Sequence, residues 1–218
     1  MTLTRHDDLS LPYVLNVPGG KRDDAELPLV IVMHGRGADA NDLAELAPMI
    51  DGGYRFVFPN APKKFEPMPG YSFGYSWFDG WPPEGDSIVN SREKLLALID
   101  ELIARYPTPE GKIVVAGFSQ GGMMAIDAGF RTKQKIAGIV CMSGAIYEAD
   151  QPPLRKLPVL IVHGTEDDMI PLFAAQRTRF VLEENGVSPE YHEFPMGHHV
   201  TPESMDVVRA FLGRVLSA

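Results

Sequence analysis

The sequence predicts an α/β fold with a mostly parallel, doubly wound sheet and helices on both faces. Runs such as LPLVIVMHG (27–35) are continuous, apolar and β-branched, as suits a strand covered on both sides. Stretches at helical spacing alternate with such runs down the chain, and strands alternating with helices of this length require right-handed crossovers between parallel neighbours. A sheet of this kind carries its functional site at the carboxyl ends of its strands.

Taken in order, alternating Leu11, Tyr13, Leu15 and Val17 suggest a first strand, closed by the turn signal PGGKRDD. LPLVIVMHG is the second, and DANDLAELAPMI (39–50) follows at helical spacing. YRFVFPN (54–60) is a third strand. SREKLLALIDELIARY (91–106) is the clearest helix, with Ser91 as N-cap and Leu95, Leu98, Ile99, Leu102 and Ile103 as its apolar stripe. The alternation continues through strand KIVVAGF, a helix from Gln120 to about Arg131, strands IAGIVCMSG and PVLIVHG, a helix from about Leu172 to Asn185, strand EYHEF and helix PESMDVVRAFLGRVL. Thr201 and Pro202 make a good N-cap and first-turn pair for the last helix. Residues 61–90 break the rhythm as a long Pro/Gly/aromatic loop, and its six aromatics from Tyr71 to Trp81 argue for order and a functional role.

At 218 residues one sizeable core is expected, within a single domain over 1–218. The composition, 44% hydrophobic and 22% charged, is that of an ordinary globule. A net charge of −9 without a basic cluster repels phosphate backbones and anionic lipid, which argues against a nucleic-acid partner. No stretch approaches the length of a membrane span, and the opening MTLTRHDDLSLPYVL lacks a basic-then-apolar leader pattern, so a cytoplasmic compartment and no stable membrane insertion are expected. Cys141 sits alone in an apolar run, where a thiol behaves as a small hydrophobe.

A hydroxyl attacks a carbonyl efficiently only when a base takes its proton and a third group orients that base. The α/β-hydrolase fold places such a serine on a tight strand-to-helix turn with the pattern GxSxG. The pattern occurs twice, as GYSFG (70–74) and GFSQG (117–121). Gly117 follows the strand IVVA and Gly121 opens a stretch of helix formers, so Ser119 fits the turn and Ser72 reads as a loop serine. The acid and base should follow in that order. Glu166, Asp167 and Asp168 stand where strand PVLIVHG ends, and His198 and His199 follow the last strand; spacing does not choose among them. His192 alternates within a strand, and His34 and His163 precede Gly at strand ends, which suits structural roles. The oxyanion hole needs two N–H donors, one from the residue after the nucleophile, Gln120, and one from the loop HGRGAD, where Arg36 is the natural choice. No metal spacing or dinucleotide fingerprint is present, and no cofactor is expected.

MHGRGAD, SWFD, GFSQGG, HGTEDDMIP and GHHV, in this order, resemble the phospholipase/carboxylesterase family of small α/β-hydrolases, which includes acyl-protein thioesterases. The resemblance implies an α/β-hydrolase fold without a separate cap domain. Carried onto this sequence, it assigns the acid to Asp167 and the base to His198, and it maps the oxyanion donors to Arg36 and Gln120. It implies hydrolysis of small to medium carboxylic esters or thioesters through an acyl-enzyme, with Trp77, Phe78 and Ile170 as substrate contacts. Lactone or small-peptide hydrolysis is the alternative on the same scaffold, although dienelactone hydrolases usually carry Cys at the nucleophile turn. A binding protein that lost the chemistry should lack a triad member, and none is missing. The expected partner is a small ester or thioester, and the protein is expected to be a monomer or homodimer.

Overall fold

The computed structural model describes residues 2–50 and 52–217. Strands β1 (Thr2–His6), β2 (Tyr13–Val17), β3 (Leu29–Met33), β4 (Arg55–Pro59), β7 (Ile113–Phe118), β8 (Gly138–Met142), β9 (Val159–Gly164) and β10 (Glu190–Phe194) form one eight-stranded sheet. Its order is β1-β2-β4-β3-β7-β8-β9-β10. The β1–β2 and β2–β4 pairs are antiparallel and all others parallel. The chain runs outward from β3 to β4, then returns to lay β7 on the other side of β3. That reversal opens the crevice where ligands bind in such sheets.

Side-chain alternation sorts the strands between two cores. Leu29, Ile31 and Met33 of β3, Val115 of β7 and Ile161 of β9 face helices α1 (Ser87–Arg105), α2 (Gln120–Arg131) and α3 (Leu172–Glu184). Val30 and Val32, Val114, and Leu160 and Val162 face the other side, against helix α4 (Pro202–Ser217) and a short 3₁₀ helix at Ala44–Ile50. Both faces of the central strands are therefore dry, which explains why the sequence shows continuous apolar runs there.

Three local readings are corrected. The stretch 39–50 is a turn followed by a 3₁₀ helix, because Pro48 inside it supplies no N–H to a longer α-helical ladder. Helix α1 starts at Ser87, so Ser91 lies inside it, buried, and its hydroxyl donates to the Trp77 carbonyl instead of capping. Strand β1 gave no hydrophobic signal, since Leu3 is exposed, and it is held by its ladder with β2. Thr201 does cap α4: its Oγ1 accepts the Ser204 N–H at 3.3 Å.

The aromatic loop is ordered by a two-stranded ribbon, β5 (Lys63–Lys64) with β6 (Tyr75–Ser76). Tyr75 also pairs with the loop after β3, donating its N–H to the Ala38 carbonyl (2.7 Å) and accepting from the Gly37 N–H (2.8 Å). A Cβ on Gly74 would lie 2.1 Å from the Gly37 oxygen. The second GxSxG thus owes one glycine to this close approach, and Ser72 is exposed.

Behind the sheet, buried Asp127 accepts from Arg92 Nε (2.6 Å) and Nη2 (3.0 Å) and from Arg131 Nε (3.0 Å), tying α1 to α2. The Arg92 and Asp127 side chains are 10% and 5% exposed. Asp127→Ala leaves the buried Arg92 guanidinium with Asp150 as its remaining partner, at 2.7 Å, and is expected to lower unfolding free energy by about 2–3 kcal/mol in urea titrations. A loss under about 1 kcal/mol would show that the pair is worth no more than a surface one.

Candidate active site

Strand β7 delivers the chain into Ser119, which takes φ 56° and ψ −122° before α2 starts at Gln120. A side chain in this region costs on the order of 1–3 kcal/mol, so the surroundings must enforce it. The Ser119 N–H donates to the Met142 carbonyl (2.9 Å), and its carbonyl accepts from the Met123 N–H (3.1 Å). The flanking glycines are sterically required. A Cβ on Gly117 would lie 2.1 Å from the Gly121 oxygen, and one on Gly121 would lie 2.1 Å from the Met33 oxygen.

His198 Nδ1 stands 2.8 Å from Asp167 Oδ2, and its Nε2 stands 2.9 Å from Ser119 Oγ. Ionised Asp167 can only accept, which puts the neutral ring's proton on Nδ1 and leaves Nε2 free to accept from the serine hydroxyl. Phe118 packs against the His198 ring, with centroids 4.8 Å apart. Asp167 is 7% exposed, whereas Glu166 and Asp168 face solvent, so burial singles out one of the three carboxylates. Burial pushes the Asp167 carboxyl up, but the Ile170 N–H, His198 and the Met169 N–H outweigh it and hold the group below the usual carboxylate range. Behind it, buried His163 donates from Nε2 to the Ile170 carbonyl (2.8 Å) and steadies the turn that carries these N–H donors. His199 is exposed, and His192 sits on β10 bound to Glu190 (3.0 Å).

Both expected oxyanion residues border the serine. Gln120 opens α2, whose first N–H groups have no partner within the helix. Its side chain is pinned to the aromatic loop: Oε1 accepts from the Trp77 N–H (3.0 Å) and Nε2 donates to the Phe78 carbonyl (2.8 Å). At the loop after β3, His34 Nε2 accepts the Ala61 N–H (3.0 Å), so its proton sits on Nδ1 and is donated to the Gly35 carbonyl (2.7 Å). That carbonyl belongs to the same peptide unit as the Arg36 N–H, and His34 thereby orients this peptide unit. Trp77 completes the tie by donating its indole N–H to the His34 carbonyl (2.9 Å).

The serine, His198, Gly35, Arg36 and Gln120 line a cavity of about 290 Å³. Phe78 and Ile170 line it as expected. Trp77 does not: it is 1% exposed and its indole is spent on the His34 carbonyl, so it supports the wall from behind. Trp81, Phe118, Met123, Met169, Ala38 and Asp42 also line it. Of these, only Trp81 carried a signal, as the last aromatic of the loop; Met123 lies one helical turn beyond the serine and reads in sequence as core. Among the described residues no cluster of three or more His, Cys, Asp or Glu is arranged to hold a metal ion. No helix among them is long and apolar enough to cross a membrane.

A serine on a strand-to-helix elbow, at the carboxyl end of a parallel sheet and joined to histidine and carboxylate from later loops, defines the α/β-hydrolase class. The phospholipase/carboxylesterase family model matches residues 20–216, and the chain belongs to this family. Acyl-protein thioesterase 1 of Mycosarcoma maydis is 28% identical, with 94% of this chain and 97% of that protein covered. The solved esterase PE8 is 29% identical at a TM-score of 0.78, covering 93% of this chain and 99% of its own. A carboxylesterase from Mesorhizobium loti shares the fold at a TM-score of 0.81 and 20% identity, with 97% and 99% covered.

Burial pushes the His34 imidazole down from 6.5 to about 4. Between these values the unfolded chain binds a proton that the folded chain does not. Stability is therefore full above pH 6.5 and falls as pH drops toward 4, by up to about 1.4 kcal/mol per pH unit. Denaturant titrations across this window are expected to show that slope reduced by one proton in H34Q. Equal slopes in the two proteins would contradict the buried neutral ring.

Proposed function

We propose that the protein hydrolyses carboxylic esters or thioesters of small to medium acyl groups through an acyl-serine intermediate. The observation that carries this reading is the continuous chain from Ser119 Oγ through His198 to Asp167, with spacings of 2.9 and 2.8 Å. As Oγ attacks the carbonyl carbon, its proton passes to His198 Nε2. Asp167, held ionised, stabilises the imidazolium and keeps the ring in the accepting tautomer. The carbonyl oxygen, now negative, takes up the Arg36 and Gln120 N–H groups. His198 then returns the proton to the departing alkoxide or thiolate. Water enters by the same route in reverse, and the acid is released.

The substrate size follows from the cavity, which lies near the lower end of the range for small-molecule sites. Its walls of Phe78, Trp81, Met123 and Ile170 suit an apolar acyl group. The relatives named as esterase and acyl-protein thioesterase support the same reaction class.

Ser119→Ala is expected to abolish fluorophosphonate labelling and to lower ester turnover by about 10⁶-fold, with Asp167→Asn costing about 10⁴-fold. Ser72→Ala should keep both labelling and turnover. Labelling that survives Ser119→Ala would sink the assignment.

A further inference from the structure

We propose that Arg36 selects substrates carrying a carboxylate a few bonds from the scissile carbonyl; this rests on the ester-hydrolase reading above. Arg36 lines the same cavity as Ser119. Its backbone N–H is the proposed oxyanion donor, while its guanidinium extends over the Phe65 ring with Cζ 5.5 Å from the centroid. Among the described residues, this guanidinium makes no ion pair and no hydrogen bond. Among the described residues every other arginine except exposed Arg5 commits its guanidinium group: Arg92, Arg131 and Arg177 bind carboxylates, for example, and Arg55 and Arg155 bind main-chain carbonyls.

Arg36 is the one Lys or Arg among the residues that line this cavity, in a chain of net charge −9. Two acidic neighbours are close in sequence, yet neither neutralises it. Asp39 is occupied by the Asn41 N–H (2.7 Å) and side-chain amide (3.1 Å), and Asp42, which lines the cavity, lies beyond ion-pair distance. Stacking on Phe65 restrains the side chain and leaves the edge of its planar fork for a bidentate oxyanion. Arg36 is exposed, so solvent screens the charge pair it offers, and its worth rests on the bidentate geometry of the fork. Because the guanidinium and the oxyanion donor belong to one residue, a bound carboxylate cannot lie further from the reacting carbonyl than one side chain's length. Monoesters or monothioesters of short dicarboxylic acids meet that limit, and so do esters whose alcohol carries a carboxylate.

Two matched pairs separate these sources: a hemisuccinate against the butyrate of the same alcohol, and the butyrate of glycolic acid against that of propanol. In one arm, wild type is expected to favour the carboxylated member by about 3–10-fold in kcat/KM. R36Q should bring that ratio close to unity and R36K should retain part of it; added salt should compress it in wild type. A ratio near unity in both arms, or one unchanged in R36Q, would overturn the proposal while leaving the esterase reading intact. No hydrolysis of any of the four esters by wild type would overturn both.

Discussion

Ser119 cannot relax its backbone without losing its place. At φ 56° it turns the chain sharply from β7 into α2, and the turn is tight enough that a Cβ at Gly117 or Gly121 would meet backbone oxygen at 2.1 Å. The strain is borne by rigid neighbours: β3 and β8 flank β7 in the dry centre of the sheet, and the Met142 carbonyl on β8 fixes the Ser119 N–H. The same turn lifts the hydroxyl above the strand ends, where loops after β3, β9 and β10 converge. The position of every other functional group follows from that arrangement.

A second constraint is the way three segments share buried polar groups. His34, Trp77 and Gln120 join the loop after β3, the aromatic loop and the start of α2 through directed hydrogen bonds in a dry environment. Each buried donor or acceptor left unpaired costs about 1–3 kcal/mol, so these segments are locked to one another. Both backbone N–H groups assigned to the oxyanion sit at the ends of this network. The side chain of Gln120 and the ring of His34 are both spent on this network and act on the site through the backbone they hold.

The parallel sheet and the Ser119 elbow were legible in sequence because both leave strict local marks. Buried strands must be apolar throughout, and a turn this tight demands glycine at two fixed positions. Asp167 was legible only through family resemblance, since three adjacent carboxylates look alike until burial separates them. Trp77 was misassigned as a substrate contact because an aromatic residue in a loop carries no sign of which way it faces; its indole hydrogen bond decided that. Ser91 showed an N-cap's composition, yet the tertiary demand of the Trp77 carbonyl placed it inside α1. Met123, Met169 and Asp42 could not be found from pattern at all, because they meet the cavity only once distant loops converge.

Ser119, His198 and Asp167 come from three separate strand ends and form one hydrogen-bonded line whose proposed outcome is a covalent acyl-serine. Mass mapping of rapidly quenched enzyme during turnover of an activated ester tests that outcome most directly. The acyl mass is expected on the tryptic peptide Ile113–Arg131, in which Ser119 is the one serine. An adduct on Phe65–Arg92, which holds Ser72, or steady turnover with no adduct on either peptide, would contradict the account.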